Sequence, residues 1–105
     1  MTIERLRDGA SPWQESIGSA RAVAAGDLVL VAGTMPQAAG AAAIGDPYEQ
    51  ARSALADAVA ALEPFGLGPE SVIRTRLYIS HARDADEVGR AHHDLFGEVG
   101  PAATL

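Results

Sequence analysis

Two hydrophobic periods divide this chain. Ser19 to Ala25 is a run of small and apolar residues holding one Arg, and Leu28-Val29-Leu30-Val31-Ala32 is a short apolar run closed by Gly33. Both read as strands. Gly26-Asp27 between them predicts a two-residue hairpin turn, because Gly accepts positive φ. The period then changes. Tyr48, Ala51, Leu55, Val59 and Leu62 make one apolar stripe at helical spacing. Asp46 is placed to cap that helix, Pro47 suits its first position and Glu49 completes a D-x-x-E box. Pro64 and Gly66 should end it.

Ser71 to Ser80 alternates again. Ile73, Thr75, Leu77 and Ile79 fall on one face, which should pack under helices. Val72, Arg74, Arg76 and Tyr78 fall on the other, too apolar for plain solvent and suited to a subunit interface. A second D-x-x-E box, Asp84 to Glu87, opens a second helix with the stripe Val88, Ala91, Leu95 and Phe96 and a stop at Gly97. Ala38 to Gly45 is Ala/Gly-rich and reads as a loop. The predicted order is ββαβα with a further short strand near the N-terminus, an α+β layer in one domain spanning 1–105. Thr104-Leu105 looks like the opening of one more strand.

Composition narrows the chemistry. A chain of 105 residues supports a modest core. No apolar run approaches a membrane span. Met1-Thr2-Ile3-Glu4-Arg5 lacks the basic-then-apolar order of a signal peptide, so the cytoplasm is the expected location and no membrane partner is expected. Net charge is −6, which opposes a phosphate backbone, and no nucleic-acid partner is expected. There is no Cys, no Lys and no Asn. Thiolate nucleophiles, thiolate metal sites and lysine Schiff bases are excluded.

The remaining polar groups form no complete catalytic set. His92 and His93 are adjacent and point in two directions on a helix. With His81 they are the chain's histidines, and helical zinc motifs need i, i+4 spacing plus a third ligand. No metal site is expected, and structural or surface roles are assigned to all three. Asp84, Asp86 and Glu87 are read as helix-capping acids. Gly33, Gly40 and Gly45 match neither phosphate-loop spacing, and no G-x-S-x-G elbow occurs. Trp13 is expected as a core plug ahead of a pocket wall. Arg74 and Arg76 are candidates for interface ion pairing or an anion-binding floor.

These segments, in this order, resemble the RidA (YjgF) family. Gly18 to Val23 and Gly26 to Pro36 resemble its first hairpin, Gln50-Ala51-Arg52 with Leu55 its first helix, and Val72 to Ile79 its central strand. His92 to Phe96 and Pro101-Ala102 resemble its second helix and the Pro-Ala segment that follows. The resemblance runs from about Ser11 to the last residue. It implies a chorismate-mutase-like fold of the bacillus type, an antiparallel or mixed sheet with two helices on one face, here lacking the family's last strands. It also implies a homotrimer whose sheets meet around the axis, with small-molecule clefts between subunits. Founding members are hydrolases that convert enamines and imines such as 2-aminoacrylate to 2-oxo acids and ammonia without a cofactor.

In active members an Arg after the Pro-Ala pair clamps the substrate carboxylate. The matching position here is Ala103. Leu105 stands where Cys is frequent, Ser19 where an aromatic stands, Ala32 where a Ser stands and Gly89 where an Asn stands. The family's late Glu would lie beyond Leu105. Gly33, whose backbone N–H lines the family cleft, carries over. The resemblance therefore implies cleft positions at Ser19, Ala32, Gly33, Gly89, Ala103 and Leu105, no catalytic side chain, and a ligand of 2-imino or 2-oxo acid type. An imine deaminase using backbone groups and water is the alternative, and a ribonuclease-type relative is less favoured.

Overall fold

A computed structural model describes residues 2–9, 13–36 and 45–105. The loop expected over 38–45 lies outside them except for Gly45. Strands β1 (Ile3–Leu6), β2 (Ala22–Ala25) and β3 (Leu28–Val31) form an antiparallel sheet in that order, with helix α1 (Trp13–Ser16) between β1 and β2. Helix α2 (Pro47–Ala60) follows, then strand β4 (Arg74–Arg76), helix α3 (Ala85–Phe96) and strand β5 (Ala102–Thr104). Strands β4 and β5 pair in parallel as a second sheet. This is the α+β architecture expected, with the extra N-terminal strand present as β1.

The β2–β3 hairpin turns where the sequence said it would. Gly26 takes φ 58°, and among the described residues no non-Gly residue has positive φ. A Gly-X pair with only the first residue positive is the requirement of a type II′ loop. The register pairs Ala25 with Leu28, Val23 with Leu30, Ile3 with Ala25 and Arg5 with Val23. Opposed residues share a face. One face therefore carries Ile3, Arg5, Val23, Ala25, Leu28 and Leu30, and the other carries Glu4, Leu6, Ala22, Ala24, Val29 and Val31.

Helix α2 lies over the second of those faces. Ala22 is buried, and the Arg21 guanidinium donates to the Asp57 carbonyl at 2.8 Å. The α2 N-terminus is capped as expected, with the Asp46 carboxylate accepting from the Glu49 N–H at 3.1 Å. The reciprocal half of the box is absent: Glu49 turns to Arg52, whose Nε donates to it at 2.6 Å. Gly66, at φ 75°, closes the short 3₁₀ turn Glu63–Phe65 that follows α2.

Helix α3 buries Val88, Ala91 and Phe96 as its stripe requires, against α2. Two expectations fail here, the Asp84 cap and the Glu87 half of its box, while the stop at Gly97 is present. Asp84 does not cap α3. A 3₁₀ turn, Ala82–Asp84, runs straight into the helix, so Asp84 is already helical at φ −88°, ψ −2°, and its side chain makes no capping bond. Glu87 binds Arg90 instead, at 2.8 Å. Gly97 does stand at the helix end but stays right-handed, and the left-handed residue is Gly100 at φ 68°. Gly97 is small for another reason: a Cβ there would meet the His93 carbonyl at 2.6 Å.

The strand expected over Ser71 to Ser80 is only three residues long. A strand exists where a partner ladders to it, and β5 supplies partners for Arg74, Thr75 and Arg76 alone, extended by the bonds Ala102 N–H to Ile73 O and Leu77 N–H to Thr104 O. Thr75, Leu77 and Ile79 are half-buried as expected, but Ile73, before regular pairing begins, is 71% exposed. Trp13 is no core plug. It stands 66% exposed on α1, a single turn outside the two layers.

The core itself is thin, consisting of Ala22, Ala61, Leu62, Val88, Ala91 and Phe96 with Ser53. Ser53 is 4% exposed, and its hydroxyl finds no hydrogen-bond partner among the described residues. An unmet buried hydroxyl carries a desolvation penalty of about 1–3 kcal/mol. Replacing it with Ala keeps the close approach of α2 and removes the penalty. Ser53→Ala is therefore expected to raise the denaturant midpoint without changing the m-value. A drop in midpoint would mean the hydroxyl is bonded.

Candidate functional site

The expected cleft residues fall into three places. Ser19, Ala32 and Gly33 gather at the open end of the hairpin. The ladder runs on past the strands through the bond from Ala32 N–H to Arg21 O at 2.9 Å. Ser19 stands two residues before one end of that bond and Gly33 one residue after the other. The Thr34 hydroxyl folds back on the Ala32 carbonyl at 2.9 Å, and the Ser19 N–H donates to Gln14 O at 2.9 Å. Gly33 is open: among the described residues no heavy atom beyond its chain neighbours lies within 4 Å of where its Cβ would be, and nothing accepts its N–H.

Ala103 and Leu105 lie together at β5. Parallel register sets Ala103 beside Thr75, on the side of β4 that meets α3. Leu105 lines an open groove of about 420 Å³ with Leu77, Tyr78, Ile79, Ala82 and Ala85, and no charged side chain enters it. Gly89 stands apart on the exposed side of α3, with open space around it. Among the described residues no strand pairing joins the hairpin sheet to the β4–β5 sheet.

The two arginines of β4 sit on its outer face, as alternation predicts. The Arg74 guanidinium donates to the Thr104 hydroxyl on the neighbouring strand. Arg76 is exposed and makes no ion pair among the described residues. Tyr78 continues that face, 90% exposed.

Sequence reasoning missed the most connected side chain. Arg21 donates to Asp8 at 2.6 Å and to the Asp57 carbonyl, while Gln14 donates to the other Asp8 oxygen at 3.1 Å. One guanidinium thus ties the segment after β1 to β2 and α2. The signal was present: a single charge inside the small apolar run 19–25 needs partners to be tolerated. A second missed network joins the helices. The Tyr48 hydroxyl donates to Asp94 at 2.6 Å, and the Arg90 guanidinium lies 3.8 Å over the Tyr48 ring. The bond to Asp94 raises the phenol's pKa.

The histidines take structural places. His81 Nδ1 and Ser80 Oγ are 2.9 Å apart, and His93 is exposed. His92 shares a 2.8 Å hydrogen bond between its Nε2 and Thr75 Oγ1, and its ring tilts against Phe96 at 4.9 Å. Desolvation in this position lowers the His92 pKa. The unfolded chain, with a pKa near ~6.5, then takes up a proton before the folded one does. Stability from this group is whole above that value and declines as pH falls below it toward the folded pKa. Denaturant titrations at pH 7.5 and 5.5 should show the decline, and His92→Gln should flatten it. An unchanged slope in the variant would assign the decline elsewhere.

Comparison with known proteins adds the following. The model of the family described as Endoribonuclease L-PSP matches residues 16–105. An uncharacterized protein of Streptomyces coelicolor is 55% identical over 108 residues, covering all of this chain and 81% of that protein. A crystal structure of a Mycobacterium tuberculosis member of the YjgF/YER057c/UK114 family is 32% identical, with a TM-score of 0.86 over 98% of this chain and 81% of that one. A Pseudomonas aeruginosa structure superposes with a TM-score of 0.83 over 99% of this chain and 79% of that one. At 23% identity it speaks to the fold alone.

Proposed function

The chain belongs to the endoribonuclease L-PSP family, the YjgF/RidA group, and from that membership we propose that it works as a homotrimer holding a small-molecule cleft between subunits. The observation that carries this reading is the outer face of the hairpin sheet. Leu30 is 68% exposed, Leu28 57% and Ile3 46%, beside Val23 and Ala25. A sheet face that is apolar apart from Arg5, over so thin a core, marks an interaction surface. In the family this resembles, that is where sheets of neighbouring subunits meet.

The cleft would draw together what one chain leaves apart: Ser19, Ala32 and Gly33 at the hairpin end, and Ala103, Leu105 and Gly89. Its supply of chemistry is small. The unpartnered Gly33 N–H suits a carbonyl or carboxylate oxygen of a 2-imino or 2-oxo acid. Ala103 offers no fork for the carboxylate where active relatives have Arg. The reading is therefore ligand binding without efficient deamination. A thermal-shift screen of small 2-oxo acids, run beside a deaminase assay, tests it. Stabilisation without turnover supports it, and turnover at the rate of an Arg-bearing relative would install the enamine/imine deaminase reading instead.

A further inference from the structure

We propose that the helix-side groove at the turn end of the hairpin is a binding site for an amphipathic organic cation, a protonated amine carrying an apolar body. The groove is an open one of about 710 Å³ between the sheet and the segment that follows α2. Its floor is Val29 and Ala24, and its far wall is Pro64, Phe65 and Leu67. Two carboxylates, Glu4 on β1 and Asp27 in the turn, line the same space.

Charge selects the occupant. No basic side chain lines the groove, and neither Glu4 nor Asp27 has an ion-pair partner among the described residues. Three acids outside the groove are ion-paired, Asp8 by Arg21, Glu49 by Arg52 and Glu87 by Arg90, so what sets Glu4 and Asp27 apart is that both line one apolar-walled groove. Arg5, next to Glu4, lies on the opposite face of β1 by alternation. An ammonium in the groove would gain the attraction of both carboxylates. The aliphatic and proline walls would take an apolar body, the combination of apolar lining and a few convergent polar groups that defines small-molecule sites. A bare metal ion would leave those walls unused.

This groove is on the helix side of the sheet, whereas the face proposed for subunit contact is the other one. The two readings therefore stand or fall separately.

Three probes at low ionic strength test the site on the intact protein: 2-phenylethylammonium, 2-phenylethanol and phenylacetate, each followed by amide ¹H–¹⁵N shifts. The ammonium is expected to bind roughly tenfold more tightly than the alcohol, with shifts centred on Val29, Phe65 and Leu67, and phenylacetate more weakly than either. Added salt should erase the preference. The double variant Glu4→Gln, Asp27→Asn should bring the ammonium down to the alcohol's affinity while leaving the alcohol unchanged. Equal binding of ammonium and alcohol by the unaltered protein, shifts centred elsewhere, or full ammonium affinity in the double variant would each overturn the proposal.

Discussion

Supplied with 2-aminoacrylate generated from serine or cysteine, this protein should release 2-oxo acid at least ~100-fold more slowly than a family member bearing Arg after the Pro-Ala pair. The reaction needs the substrate held while the enamine becomes an imine, water adds to that carbon, and ammonia leaves. In the relatives it resembles, a guanidinium fork holds the carboxylate and a late Glu positions the water. Here the first position is Ala103, exposed on β5 with nothing charged in the adjoining groove. General acid–base assistance alone is worth about 10²–10⁴ in rate, so the expected gap is large. Capture of the remaining enamine by semicarbazide gives the rate directly. Ala103→Arg is the informative variant. Less semicarbazide capture with Ala103→Arg than with the unaltered chain would argue that the cleft still holds the rest of the machinery.

The second large effect concerns assembly. Leu30→Glu is expected to dissociate the proposed trimer while leaving the fold of each chain intact. In one chain the Leu30 side chain is mostly exposed, so a carboxylate there meets water. In the trimer it would be buried. Each subunit would lose the burial of a Leu, about 1.5–3 kcal/mol, and gain an unpaired charge in an apolar interface. Ala56→Glu, on the exposed side of α2, is the control and should leave assembly untouched. Size-exclusion elution beside far-UV circular dichroism separates dissociation from unfolding. A Leu30→Glu variant that elutes with the unaltered protein would place the subunit contact somewhere else.

Much of this architecture was legible because local rules and tertiary structure agree. The Gly26 turn, the Asp46 cap and the Val88–Ala91–Phe96 stripe each follow from a requirement local to a few residues, and each is present. The failures share one cause: a contact from elsewhere in the chain decides. Asp84 has the residue type and spacing of a cap, but the 3₁₀ turn from Ala82 delivers it already helical. The alternation over Ser71 to Ser80 is real, yet the strand extends only as far as β5 reaches. Trp13 has the bulk of a core residue but sits on a helix one turn long. The candidate site was legible only through resemblance. Ser19, Ala32, Gly33, Gly89, Ala103 and Leu105 are small or apolar, and no periodicity marks them. Arg21 carries a visible charge in an apolar run, but its partners, Asp8 and the Asp57 carbonyl, are set by the packing of α2 on the sheet.

A cleft between subunits requires subunits. Light scattering coupled to size exclusion on the unaltered chain measures this most directly. A mass three times the 10.8 kDa of one chain, unchanged on tenfold dilution, is the predicted result. A mass of 10.8 kDa at every concentration, with the sheet face bearing Leu28 and Leu30 left in water, would contradict the account.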